Sequence, residues 1–240
     1  MPSEFKSADK LYFINTVDDR EDGAPVPAYL IKSGPHTILV DSGFPEAQIG
    51  QVHFGWRVSR ERFILTQLAR IGVRAEDVDL LIATHLDPDH AGNHQLFTNA
   101  TVICQRAHHA WASQHLHQRT GGPGAEWTNP SIRWRFVDGD TDVADGVRVI
   151  ECGGHVPAHQ GVLVRLPSQS FVLAIDAIPN AGVADPVTRR VTRADLGDEA
   201  EVRACTRKLV DVAAQEHATL IYGHDGAQWG GLKTFPEGYG

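Results

Sequence analysis

Short apolar runs that stop on a histidine or an aspartate recur from one end of this chain to the other. Residues 37–40 run into Asp41-Ser42-Gly43, 79–83 into Thr84-His85, 147–151 into Cys152-Gly153-Gly154-His155, 171–175 into Asp176, and 219–222 into Gly223-His224. Runs this short, bounded by turn residues, read as strands. Glycine beside several of these donors lets the backbone turn sharply and approach closely. The pattern predicts sheets whose ends deliver His and Asp side chains to one edge.

Two further apolar runs, 11–14 and 28–31, add an opening meander, and 161–166 with 171–175 read as a hairpin. Helical spacing of Phe63, Ile64, Leu68 and Ile71, with Gly72 as a stop, predicts a helix over 57–71. Two more helices are expected over 105–117 and 199–215, with a loop opening at Gly121-Gly122-Pro123-Gly124. Two strand-rich halves, each with helices and with no linker between them, predict a single α/β (α+β) domain over 1–240.

Composition narrows the function classes. With 22 Lys+Arg against 30 Asp+Glu and no basic stripe, the chain lacks the footprint of a nucleic-acid binder. No apolar run approaches the ~20 residues that cross a bilayer, and the polar start MPSEFKSADK has no hydrophobic segment, so no membrane partner and a cytoplasmic location are expected. Cys104, Cys152 and Cys205 show no CxxC spacing and are expected as buried thiols.

The 13 histidines then demand a use. His85-Leu86-Asp87-Pro88-Asp89-His90 packs four donors into six residues directly after a strand, with Pro88 preventing continuation as sheet. Alternate donors pointing different ways suit two metal ions, and imidazole with carboxylate fits Zn, Fe or Mn. His155, Asp176 and His224 extend the donor set. His108, His109, His115 and His117 fall on a helix and are expected on a solvated face or an interface, while Trp127 and Trp134 suggest a lid or a subunit contact.

In order along the chain, Asp41-Ser42-Gly43, His85-x-Asp87-x-Asp89-His90, His155, Asp176 and Gly223-His224 resemble the metallo-β-lactamase superfamily. Ile38-Leu39-Val40-Asp41-Ser42-Gly43-Phe44-Pro45, Gly154-His155-Val156-Pro157-Ala158-His159-Gln160 and Gly223-His224-Asp225, with Phe235-Pro236 after them, look most like its N-acyl homoserine lactone hydrolases. The resemblance implies a four-layer αββα sandwich. It places one metal on His85, Asp87 and His155 and a second on Asp89, His90 and His224, with Asp176 bridging, and puts Asp41 and His159 behind the ligands as supports. Zinc is expected first, iron or manganese otherwise.

The implied function is a dinuclear hydrolase of a small ester-like substrate, a lactone or related ester, attacked by a hydroxide shared between the ions while Asp89 holds it and takes its proton. Two departures stand out: the family motif has His where this chain has Asp87, and no Tyr follows Asp176, where the lactonases carry one. Asn180 is the candidate replacement, and Phe54 and Trp56 are candidate pocket walls. Alternatives are an activated aryl ether or aryl ester as substrate, a di-iron redox enzyme, or a non-catalytic subunit. An oligomer is compatible with the exposed aromatics.

Overall fold

The structure is a computed structural model that describes residues 6–53, 55–115, 119, 121 and 125–240. It opens with β1 (Lys10–Asn15), β2 (Pro27–Ser33) and β3 (His36–Val40), the expected antiparallel meander. A small hairpin, β4 (Val52–His53) and β5 (Trp56–Arg57), precedes α1 (Ile64–Ala69). Then come β6 (Leu80–Ile82), α2 (Pro88–Ala91), β7 (Thr101–Gln105), α3 (Arg106–Gln114) and β8 (Arg133–Val137). The second half holds β9 (Thr141–Ala144), β10 (Val147–Cys152), β11 (His159–Arg165), β12 (Ser170–Ile175), α4 (Glu199–Gln215), β13 (Ala218–Tyr222) and α5 (Gly226–Trp229).

Six strands form one sheet in the order β1-β2-β3-β6-β7-β8, and five form the other in the order β13-β12-β11-β10-β9. Strand periodicity makes two buried faces from each sheet. From β2, Tyr29 and Ile31 enter the layer between the sheets, where they meet Val149, Val162, Phe171 and Leu173, whereas Ala28 and Leu30 pack outward with Ile64, Leu68 and Ala112. From β12, Val172 and Ala174 face outward onto Cys205 and Leu209 of α4. The layers therefore run helix, sheet, sheet, helix, the αββα sandwich that the motif resemblance implies. Among the described residues no helix is long and apolar enough to cross a membrane.

Several boundaries differ from the sequence expectation. The helix expected over 57–71 is cut to α1, because Trp56–Arg57 pairs as a strand and Ser59 accepts from Arg62 N and Phe63 N to form a separate turn. Pro88 does not simply break the loop. It sits at the first position of α2, where its missing N–H costs nothing, and one helical turn carries Asp89 and His90. The tryptophans do not form a lid: Trp127 is buried in the outer core against α3, and Trp134 lies partly buried in β8, stacked on Phe136.

One contact fixes where α2 sits. A Cβ on Gly92 would lie 2.3 Å from Pro45 N and 2.6 Å from Gly43 O, so only glycine lets the end of α2 dock on the loop after β3. Gly92→Ala is expected to cost about 1–3 kcal/mol through overpacking. That lowers the melting temperature by about 2–12 °C for a chain of this size, measured by thermal unfolding.

Candidate metal centre

The strand ends converge as the pattern requires. Asp41 follows β3 at φ 57°, in the left-handed region. It is fully buried, accepting from Thr84 N (2.9 Å), Thr84 Oγ1 (2.7 Å) and His90 Nδ1 (2.9 Å). Asn93 completes the clamp by donating from its side-chain amide to Ser42 O and Phe44 O, and His94 Nδ1 meets Ser42 Oγ at 2.8 Å. These two residues hold the loop that carries Asp41 against α2.

Three of the four site imidazoles are held from behind at Nδ1: His85 Nδ1 meets Thr84 Oγ1 at 3.0 Å, His90 Nδ1 meets Asp41, and His224 Nδ1 meets Pro25 O at 2.8 Å, whereas His155 Nδ1 stands 3.6 Å from Asp195 Oδ1, beyond hydrogen-bonding distance. Such partners put the proton on Nδ1 and leave the Nε2 lone pair for a ligand. All four Nε2 atoms point into one space. Asp176 stands at its centre, with Oδ1 3.3 Å from His90 Nε2 and 3.1 Å from His224 Nε2, and Oδ2 3.4 Å from His155 Nε2. Asp89 Oδ2 lies 3.4 Å from His90 Nε2 on the more open side.

Three overlapping donor groups each fall within 4.8 Å of mutual reach: His85, His90 and Asp176; His85, Asp87 and His155; and Asp89, His90 and His224. The fit to a cation can be tested on the residues themselves. His85 Nε2 and His90 Nε2 are buried nitrogens with no hydrogen-bond partner. Two unsatisfied acceptors in a polar cavity are costly unless a ligand meets them, so the space that His85 and His90 share with Asp176 fits a divalent metal.

The charges of the site act on the rings in both directions: burial lowers His90, His155 and His224, but the carboxylates beside them, Asp89 and Asp176 at His90 and Asp176 above all at the other two, outweigh it and raise all three. Burial and the neighbouring His90 hold His85 well below the usual histidine range, in the neutral form that binds metal. Burial pulls Asp176 upward, but His224, His90 and His155 around it hold its carboxyl well below the usual carboxylate range. It is an anion among imidazoles.

The supports and the pocket candidates divide. His159 is buried beside the His85 and His155 rings, at 5.2 and 5.9 Å between centroids, with Nδ1 3.6 Å from Cys152 Sγ. Trp56 lies over the His224 ring at 5.2 Å and is fixed by donation from Nε1 to Ala24 O, so it borders the cluster. Asn180 turns Oδ1 onto its own Gly182 N. Phe54 lies outside the described residues.

Several residues at the site gave no signal in the sequence. His108 is buried rather than solvated: its Nε2 accepts from Leu86 N at 3.0 Å and its Nδ1 meets Pro157 O at 2.8 Å, tying the two ligand loops together. His109, also expected on a solvated face or an interface, packs among Trp127, Trp134 and Phe136. Asp195, behind His155, forms a buried pair with Arg189 at 2.9 Å. Arg119 reaches from the segment after α3 into the cluster, onto Asp87 and His155.

Comparison with known proteins gives the same direction throughout. A family model described as the metallo-beta-lactamase superfamily matches residues 22–224, a span that holds every donor above. An N-acyl homoserine lactonase of Bacillus sp is 31% identical over 226 residues, 89% of this chain and 86% of the relative. The N-acyl homoserine lactonase AttM of Rhizobium radiobacter is 31% identical over 90% of this chain and 87% of its own. A solved N-acyl homoserine lactone hydrolase, described with the product N-hexanoyl-L-homoserine bound at the catalytic metal center, superposes with a TM-score of 0.83 at 27% identity, covering 97% of this chain and 100% of that one. On the strength of that span and that likeness, the chain belongs to the metallo-beta-lactamase superfamily.

Proposed function

We propose that this chain is a metal-dependent hydrolase that opens the ring ester of an N-acyl homoserine lactone or a closely similar lactone. The observation that carries the reading is the gathering of four imidazoles round the carboxylate of Asp176, three of them with Nε2 at 3.1–3.4 Å from it and three of the four held by a hydrogen-bonding partner at Nδ1. A cluster built this way is a cation site, and relatives named as lactonases match the chain over 89–90% of its length. His90, His224, Asp89 and Asp176 would hold one ion. His85, Asp87 and His155 form the other half of the donor set. Zinc is the first candidate for this mixture of imidazole and carboxylate, with iron or manganese behind it.

A divalent ion, when bound, lowers the pKa of water from ~16 to near ~7 and polarises an ester carbonyl, which supplies the chemistry of hydrolysis at neutral pH. The chain's own residues do the rest. Asp89, in the first turn of α2 and 19% exposed at its side chain, is placed to accept the proton of the attacking water and pass it to the leaving oxygen. Trp56 provides an apolar wall beside His224, suited to a lactone ring or the start of an acyl chain. Asp41 and Thr84 hold His85 and His90 in the metal-binding tautomer, so the donors are set before substrate arrives.

The test is hydrolysis by the purified full chain of N-hexanoyl homoserine lactone against aryl esters and activated aryl ethers. Lactone ring opening is expected, lost on chelation and restored by zinc. Turnover of the aryl substrates with none of the lactone would replace this reading with the aryl one.

A further inference from the structure

Arg119 occupies a place that the donor geometry reserves for a cation. Its Nε lies 2.7 Å from Asp87 Oδ2 and 3.1 Å from Asp87 Oδ1, its Nη2 lies 2.6 Å from His155 Nε2, and its Nη1 donates to Ala194 O. Asp87 and His155 are two of the three donors in one half of the cluster. We propose that the Arg119 guanidinium is the resident cation of the Asp87–His155 half, so that the chain holds a single metal ion, on the half formed by His90, His224, Asp89 and Asp176. The proposal rests on the metal-dependent reading above and departs from the two-ion expectation drawn from the motif.

The chemistry is one of exclusion. The Nε2 atom of an imidazole whose proton is on Nδ1 has one lone pair. If that lone pair accepts from Arg119 Nη2, it cannot also bind a metal. Asp87 is engaged the same way, by a charge-assisted contact to a group that never loses its proton. A divalent ion entering this half must displace the guanidinium from both donors together. The space beside it shows the reverse condition: His90 Nε2 and the neighbouring His85 Nε2 are buried with no hydrogen-bond partner, both lie within reach of Asp176, and no cationic side chain reaches them among the described residues.

The same contact explains the departure in the motif. An imidazole at position 87 would offer Arg119 no countercharge, and a guanidinium facing two imidazoles would keep only Ala194 O to hold it. A carboxylate there gives it an ion pair. Asp87 is buried, with both carboxylate oxygens within 3.1 Å of Arg119 Nε. Asp87 and Arg119 therefore form a pair in which each accounts for the other. The pair is anchored on the far side too, because Ala194 O, which takes Nη1, is next to Asp195, the carboxylate behind His155.

Metal stoichiometry tests this without any activity measurement. Wild type, Arg119→Gln, Arg119→Lys and Asp87→His would each be loaded with excess zinc and dialysed against metal-free buffer. Zinc per chain would then be read by plasma mass spectrometry, with melting curves to confirm folding. Wild type and Arg119→Lys are expected to retain one ion, and Arg119→Gln and Asp87→His to retain two. Asp87→His carries the test if Arg119→Gln fails to fold. Two ions in wild type, or one ion in every variant, overturns the proposal while leaving the hydrolase reading intact. Folded wild type with no zinc overturns the metal-dependent reading and this proposal with it.

Discussion

Asp176→Ala is expected to abolish lactone hydrolysis and to strip the protein of bound metal in the same step. The carboxylate touches three imidazoles that reach it from different parts of the chain: His90 from α2, His155 from the loop after β10, and His224 from the loop after β13. Removing it leaves those three rings without the one carboxylate they share, and Asp89, against His90 alone, does not replace it. Because a bound metal is what would lower the pKa of water, its loss should cut turnover to on the order of a thousandth of wild type or less. Zinc content and lactone hydrolysis are measured on the same preparation, and Asp176→Asn, which keeps the volume but not the charge, should behave alike. Full turnover in either variant would remove Asp176 from the site's chemistry. The fold should survive, because the residue projects from the end of β12 into a polar cavity and not into the apolar layer between the sheets.

The donors themselves were legible in the sequence because strand-ending residues carry a local signal: Asp41, His85, Asp176 and His224 each follow an apolar run, and the alternation in β2 and β12 marks the buried faces. The edge strands β8 and β9 carry no apolar run, since Arg133, Arg135 and Asp142 keep them polar and short, the usual protection of an exposed edge. The residues that act from a distance were harder still. His108 lies 22 residues from the amide it accepts from, and Arg119 lies 32 residues from Asp87 and 36 from His155. Nothing periodic marks an arginine as belonging to a metal cluster. The one available signal was indirect: an acid where the motif has an imidazole calls for a cationic partner.

Asp41→Asn is expected to leave the fold in place and still weaken metal binding by about 10- to 100-fold, the range for outer partners of ligand histidines. Asparagine tolerates the left-handed backbone at φ 57°, so the turn after β3 is kept. The amide must point its oxygen at the Thr84 backbone N–H, the obligate donor now served by Asp41 Oδ1. Its NH2 group then replaces Oδ2, which at present accepts from both Thr84 Oγ1 and His90 Nδ1. His90 can no longer keep its proton on Nδ1 facing a donor, and the proton moves to Nε2. Thr84 Oγ1 becomes an acceptor from the amide and turns its own hydrogen toward His85 Nδ1, now 3.0 Å away, so His85 also protonates at Nε2. One oxygen-to-nitrogen exchange thus places hydrogens on two ring nitrogens that must be bare to bind a cation. Nitrogen-15 spectra of the histidine rings should show the two tautomers inverted, and zinc competition with a chelator gives the affinity. The lost hydrogen-bond strength should cost about 1–3 kcal/mol in unfolding. A normal zinc affinity with unchanged ring tautomers would show that Asp41 supports only the turn.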